Sequence, residues 1–203
     1  MRKVYLVVKR FFDFTISLFV LISSIPFLML IALLVKLTSK GNVLYTHRRI
    51  GKDGKIIYVY KFRTMNDDKR PLEDILTEEQ LEEYKSNYKI TNDPRVTKFG
   101  KFLRRTSIDE LPQLFNIIKG DMSIVGPRPI ILDELKLYKE NKELLLSIRP
   151  GLTGYWASHG RSDTTYEERI KMELYYVKNV SLWLDIKIII LTFINVLTGK
   201  GAK

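Results

Sequence analysis

Cysteine is missing from this chain altogether, and histidine occurs only at His47 and His159. These absences exclude disulfides, a thiolate nucleophile and a zinc site built from cysteine and histidine. A metal held by this composition is a hard cation bound through oxygen. Acid is also in short supply, with 34 Lys and Arg against 23 Asp and Glu and a formal charge of +11. Much of that acid is gathered between Asn66 and Tyr84, where Asp67, Asp68, Glu73, Asp74, Glu78, Glu79, Glu82 and Glu83 fall close together. The rest is a strongly basic body, which attracts phosphates in nucleic acid, anionic lipid headgroups or a nucleotide. There is no internal repeat, no GxxxxGK[ST] phosphate loop and no GxGxxG following a strand. At 203 residues the chain has the size of one ordinary domain.

What the sequence does have is one long apolar run. No charge interrupts FTISLFVLISSIPFLMLIALLV, from Phe14 to Val35, and as a helix it would be about 33 Å long, enough for a hydrocarbon core of about 30 Å. Both flanks are basic, with Arg2, Lys3, Lys9 and Arg10 before it and Lys36, Lys40, Arg48 and Arg49 after it. The positive-inside rule then wants both ends on the cytoplasmic face, which a straight span does not satisfy. Pro26 sits near the midpoint and removes a helical hydrogen bond, while Ser23 and Ser24 can bond the carbonyls it frees. The pattern predicts a re-entrant helix that bends at Pro26 and returns to the side it entered from. A kinked span is the competing reading. Residues 1–40 are expected to be this anchor, within the same domain as a catalytic part over residues 41–203.

Further on, VLYTHRRI and KIIYVYKFR flank a Lys52-Asp53-Gly54 turn and read as a β-hairpin, with Ile56, Tyr58, Tyr60 and Phe62 sharing one face. After the Asp93-Pro94 breaker, Arg95, Lys98, Lys101 and Arg104 recur every three residues on a basic helix. Two loops punctuated by glycine and proline follow. GDMSIVGPRP presents Arg128 between Pro127 and Pro129, and RPGLTGYW leads to His159, Gly160 and Arg161. Rigid loops presenting an arginine suit bidentate phosphate binding, and plain turns explain them as well. The run from Leu182 to Leu197 is apolar nearly all round and predicts an interfacial helix with Trp183 at the boundary, or else a core helix. The expected fold is a helix-rich, mixed α/β, membrane-associated domain combining the re-entrant helix, the hairpin and interfacial amphipathic helices.

One pair of residues asks for an explanation. Asp109 and Glu110 stand side by side directly after Arg104 and Arg105. Ser107 followed by Glu110 ahead of Leu111, Leu114 and Phe115 has the S-x-x-E form of a capping box, which gives Glu110 a structural role. An aspartate near arginines at a helix start also stays ionised and can act as a nucleophile.

Taken in order, KRFFDF, a proline-broken apolar segment, YKFRTM, RRTSIDELPQLFNIIKGDMSIVGPRP, RPGLTGYW, GRS and LDIKI resemble the bacterial sugar transferases, the monotopic polyprenyl-phosphate phosphoglycosyl transferases. The resemblance covers nearly the whole chain and is weakest over residues 66–92. It implies transfer of a sugar phosphate from a UDP-sugar to polyprenyl (undecaprenyl) phosphate with release of UMP, on the cytoplasmic face of the bacterial plasma membrane. Partners are then the UDP-sugar, the lipid phosphate and membrane lipid, with no nucleic acid. It also implies Mg2+, with Asp109 as the nucleophile that forms a covalent phosphosugar, and Glu110 helping to hold the metal. Arg104, Arg161 and Asp185 match further active-site positions, and Pro127, Arg128 and Pro129 match a nucleotide-associated loop. Unlike many relatives, this chain has Ile25 rather than serine directly before Pro26. Two other classes compete with that implication. One is a non-catalytic basic surface module for anionic lipid or nucleic acid; the other is a direct glycosyl transferase, which would release UDP.

Overall fold

The computed structural model describes residues 2–66, 68, 70–87, 90, 92–160 and 164–198, without the side chains of residues 86 and 87. Its dominant element is α1, Arg2–Thr38. The buried positions Lys9, Asp13, Ser17 and Leu21 recur every four residues, followed by Ile31 and Val35. They form one stripe, since residues four apart stack on the same helix face. Nearly all the other large apolar residues of α1 are exposed, from Val4 and Phe11 to Phe19, Ile25, Met29 and Leu37. Among the described residues it is the one helix long and apolar enough to cross a membrane.

Strands β1, Leu44–Ile50, and β2, Ile56–Phe62, form the antiparallel hairpin, in register from Leu44 opposite Phe62 to Ile50 opposite Ile56. Asp53 and Gly54 take positive φ in the turn between them, as a tight reversal demands. The expected shared face holds only in part. Ile56 and Tyr58 point outward, but Phe62 is buried against Ile31 and Val35 of α1 and Leu103. Next come α2, Glu78–Asn87, α3, Lys98–Arg105, and α4, Gln113–Lys119. Short strand β3, Ser123–Val125, pairs in parallel with β4, Gly151–Thr153. Between them lie α5, Leu132–Lys136, and α6, Lys142–Leu146; α7, Tyr155–His159, α8, Tyr166–Lys178, and α9, Leu182–Thr198, complete the chain.

The two glycine-punctuated loops turn out to be one paired structure. Gly126 N–H donates to Thr153 O at 2.9 Å and Gly151 N–H to Pro127 O at 2.8 Å. A Cβ on Gly151 would stand 2.1 Å from Gly126 N, so neither backbone could come so close with a side chain in between. Ile50 N–H donates to Ile130 O at 2.8 Å, which ties the hairpin to the same loop.

The core is shared along the length of α1. Leu21 packs with Ile57, Val59, Leu114, Ile117 and Met122, while Ile31 and Val35 pack with Phe62 and Leu103. Near its start, Lys9 Nζ lies 2.8 Å from Asp185 Oδ2 and 3.7 Å from Asp13 Oδ1. Asp13 accepts from Ser123 Oγ at 2.7 Å and from Ile124 N–H at 3.0 Å. Arg10 donates to the carbonyls of Ile117 and Ile118, satisfying the C-terminal end of α4. Both arms of α1 therefore bind the same globular body.

The hydrogen bonds around Pro26 differ from those expected. The helix runs without interruption through Pro26. Ser23 Oγ donates to Phe19 O at 2.8 Å and Val20 O at 3.2 Å, and Ser24 Oγ to Leu21 O at 3.1 Å. These acceptors lie one to three residues before Ile22 O, the acceptor that Pro26 leaves without its helical donor. The serines reinforce the upstream turn and do not bond the carbonyl freed by the proline.

Candidate active site

The acid pair does not begin an α-helix. Ser107 takes φ 57 and ψ 16, in the left-handed region, and its side chain makes no cap hydrogen bond. Ile108–Glu110 form a 3-10 turn, and α4 starts only after Pro112. The capping box expected from Ser107 and Glu110 is thus absent. A proline needs no N–H at a helix entrance, so Pro112 sets the boundary there.

Asp109 is buried, 6% exposed, at the junction of β2, α3 and this turn. Removal from water pushes its carboxyl up to about 6, with Glu110 adding to the rise and Lys61 and Arg104 pulling the other way. At pH 7 it is still ionised by about ten to one. Glu110 Oε1 accepts from Lys61 Nζ at 2.6 Å. Arg104, on the last turn of α3, donates its Nε to Thr64 Oγ1 at 2.9 Å. Lys61 and Thr64 come from β2 and the residues just after it, so the hairpin supplies half of the site.

Helix α3 is held against that strand end with unusual closeness. Thr97 caps it by accepting Gly100 N–H at 2.8 Å, and Thr97 N–H donates to Thr64 O at 3.0 Å. A Cβ on Gly100 would lie 2.0 Å from Thr64 O. Only glycine lets the helix sit where Arg104 reaches Thr64.

Pro127, Arg128 and Pro129 lie on the other side of the hairpin. Arg128 sits over the Trp156 ring at 5.6 Å from its centroid. His47 on β1 connects the two regions electrostatically. Desolvation, with Arg49, Lys61 and Arg128 all repelling a proton, lowers His47 to about 4. The neutral imidazole therefore feels both the lysine beside the dyad and the arginine of the loop. A strip of positive charge runs from Lys61 to Arg128, and it suits a ligand with more than one phosphate.

Asp185 is placed elsewhere. Its carboxylate is held by Lys9, by Tyr176 OH at 2.6 Å and by Tyr5 OH at 2.9 Å, which locks α9 to α1 and α8. In this structure its contacts are architectural, and the resemblance-based active-site role finds no contact with the dyad. Arg161 falls outside the described residues. Arg104, Asp109 and Glu110 are brought together as the sequence implied. Lys61 and Thr64 were not singled out; their signal was the polar ending of an otherwise apolar strand, at the YKFRTM stretch.

Among the described residues no group of three or more His, Asp and Glu converges as a closed metal cage. An open site for a small hard cation needs only one or two carboxylates, with substrate phosphate supplying further oxygens. Adjacent Asp109 and Glu110 under a strip of phosphate-attracting cations meet that donor requirement for Mg2+.

The bacterial sugar transferase family model matches residues 4–199. An undecaprenyl-phosphate galactose phosphotransferase of Salmonella typhimurium is 43% identical over 198 residues, covering 96% of this chain and 41% of that protein. The exopolysaccharide production protein ExoY of Sinorhizobium fredii is 44% identical over 96% of this chain and 87% of its own length. A UDP-glucose:undecaprenyl-phosphate glucose-1-phosphate transferase of Klebsiella pneumoniae is 42% identical, with 97% of this chain and 42% of that protein aligned. The chain thus spans about two fifths of some relatives and most of others.

Proposed function

The chain belongs to the bacterial sugar transferase family, and from that premise we propose that it transfers a sugar 1-phosphate from a UDP-sugar to undecaprenyl phosphate at the cytoplasmic face of the bacterial plasma membrane. The observation that carries the reading is the dyad itself: a buried Asp109 beside Glu110, within the fields of Lys61 and Arg104. The relatives' activities supply the substrate class, a nucleotide sugar and a lipid phosphate.

In this mechanism an Asp109 carboxylate oxygen attacks the β-phosphorus of the nucleotide sugar. A bond forms from that oxygen to phosphorus while the bond from phosphorus to the bridging oxygen breaks, and UMP leaves with the electron pair. A phosphate oxygen of the lipid then attacks the same phosphorus, breaks the acyl phosphate bond and returns Asp109 as a carboxylate. Arg104 and Lys61 offset the negative charge that two phosphates bring to a carboxylate. Burial keeps Asp109 poorly solvated and so reactive, and the same burial raises its pKa. Arg128, exposed on its loop, would meet the nucleotide's phosphates. Mg2+, held by Glu110 with Asp109 adjacent, would supply further charge neutralisation on the diphosphate.

Membrane attachment rests on the exposed apolar face of α1 and on α9, where Trp183 is 76% exposed and Ile186, Ile190, Phe193 and Leu197 are also exposed. Both arms of α1 are fixed to one globular body, and bases flank both ends of its apolar run. A helix bound in this way is monotopic, because a span would carry part of that body into the hydrocarbon.

The test is intact-protein mass spectrometry of detergent-purified chain with Mg2+ and a panel of UDP-sugars, beside Asp109→Asn. The expected result is a mass gain of one sugar phosphate in the wild type alone, discharged by undecaprenyl phosphate, with UMP in solution. Release of UDP instead would establish direct glycosyl transfer, and release of neither nucleotide would return the chain to a lipid-binding role.

A further inference from the structure

Helix α8 turns Arg169 and Glu173, one helical turn apart, toward the interior, and the reaction described above uses neither. Glu173 is 1% exposed, a severe burial for a carboxylate. Its Oε1 accepts the backbone N–H of Arg128 at 3.1 Å. Glu134 on α5 acts on the same loop, accepting Ile131 N–H at 3.0 Å. Pro127 and Pro129 have no N–H to give. Two buried glutamates therefore grip the turn at the N–H groups of Arg128 and Ile131.

The cations around them complete a network. Arg169 NH1 lies 3.2 Å from Glu134 Oε1, and Arg49 NH1 lies 3.2 Å from Glu134 Oε2. Arg169 stands over Trp156 at 4.9 Å, on the ring that Arg128 also covers. Glu173 thus reaches the loop through its backbone and the Arg128 side chain through the arrangement of Arg169 and Trp156. The groups facing it are Arg169 on its own helix, Arg128 on the loop, and Glu134 and Tyr138 on and after α5. Burial pushes its carboxyl up to about 7, against the pull of Arg169 and Arg128. A purely structural acceptor at this place could be a glutamine, which carries no charge to desolvate.

We propose that Glu173 is a positioning residue for nucleotide recognition, setting the Pro127-Arg128-Pro129 turn through Arg128 N–H so that the Arg128 guanidinium faces the diphosphate. This rests on the UDP-sugar reading. Two variants separate its parts. Glu173→Gln keeps an acceptor for Arg128 N–H and removes the charge, whereas Glu173→Leu removes both. Trp156 fluorescence, read in a Trp183→Phe background without substrate, reports the loop directly.

For Glu173→Leu we expect KM for the UDP-sugar to rise about tenfold with kcat within about threefold, tenfold being about 1.4 kcal/mol of lost nucleotide binding. Trp156 emission should shift in the same variant. Glu173→Gln, which keeps the acceptor, should keep the wild-type emission and a KM within about twofold of the wild type. Should the leucine variant fail to fold, Glu173→Ala is read in its place against the glutamine variant. An unchanged KM and emission in the variant without an acceptor, a loss confined to kcat, or a glutamine variant that loses KM and emission as fully as that variant would overturn the proposal. A wild-type chain that releases no UMP would refute the parent reading instead, and Trp156 emission alone would then decide whether Glu173 sets the loop.

Discussion

Replacing Asp109 with asparagine should make the protein more stable while removing its chemistry. The carboxyl rises from 3.8 to about 6 chiefly by desolvation, outweighing the help of Lys61 and Arg104. Once ionised, such a group costs the folded state up to about 3 kcal/mol relative to the unfolded chain. Asparagine is nearly isosteric and carries no charge, so it removes that cost; with local relaxation a gain of about 1.5 to 3 kcal/mol is expected at pH 8. For a chain of this size that is about 3 to 10 °C in thermal midpoint. The sign with pH follows from the raised value. The wild-type penalty is complete above about pH 6 and fades as pH falls toward 3.8, below which the carboxyl is mostly neutral in both states. The advantage of Asp109→Asn should therefore be full at pH 8 and shrink between pH 6 and 4. Differential scanning fluorimetry in one detergent across that range reads it directly. A variant less stable than the wild type at pH 8, or an advantage that does not vary with pH, would refute the account of Asp109 as a desolvated, strained carboxylate.

Four other perturbations separate the parts of the site. Lys61→Met removes a cation that holds the Asp109 carboxyl down, so the acid limb of the rate profile should move to higher pH; an unmoved limb would disconnect Lys61 from Asp109. Glu110→Gln should lower the rate and raise the Mg2+ concentration needed for half-maximal activity, and a normal titration would count against Glu110 as a metal ligand. Gly100→Ala puts a Cβ 2.0 Å from Thr64 O, forcing α3 away from β2; activity should fall at least about tenfold by displacement of Arg104, a misplacement effect, and wild-type kcat would show that Arg104 does not need Thr64. Pro26→Leu restores one helical hydrogen bond but leaves the Lys9 and Asp13 contacts intact, so an N-terminal tag should stay on the same side as the C-terminus. A tag that crosses would mean that the proline alone sets the topology.

The dyad was legible in the sequence because of its company. Asp109 and Glu110 after two arginines, within a long family-like block, pointed to chemistry although the local S-x-x-E pattern pointed to capping. That local pattern misled because Pro112 and the left-handed Ser107 decide the backbone there, and tertiary packing of the turn against β2 outweighs a cap worth about 1 kcal/mol. The hairpin and the terminal apolar helix were readable from pattern, and the basic helix in part: α3 begins at Lys98, so Arg95 lies before it and pairs with Asp93. Lys61 and Thr64 were not, since their role depends on which strand end α3 reaches, a contact set by the missing Cβ of Gly100. Asp185 was named from its motif alone, and its partners Lys9, Tyr5 and Tyr176 come from two other elements, α1 and α8, that no local pattern links to it.

The membrane helix follows the same division between pattern and packing. Flanking bases and an uncharged run led to the expectation that both ends stay on one side, and the structure adds a packing argument for that proposal. The sequence assigned the return to Pro26 and its serines; in the structure the serines bond the preceding turn, and the stripe from Lys9 to Val35 is bound along its length by one body. Detaching the N-terminal arm would leave Asp185 buried without its Lys9 partner, and breaking a buried pair costs about 3 to 5 kcal/mol. That cost exceeds the single hydrogen bond lost at a proline by a wide margin. The arm is therefore kept in place chiefly by the Lys9–Asp185 ion pair to α9 and the hydrogen bonds of Asp13 to β3, and the same contacts tie α1 to the β3 end from which the Arg128 loop departs.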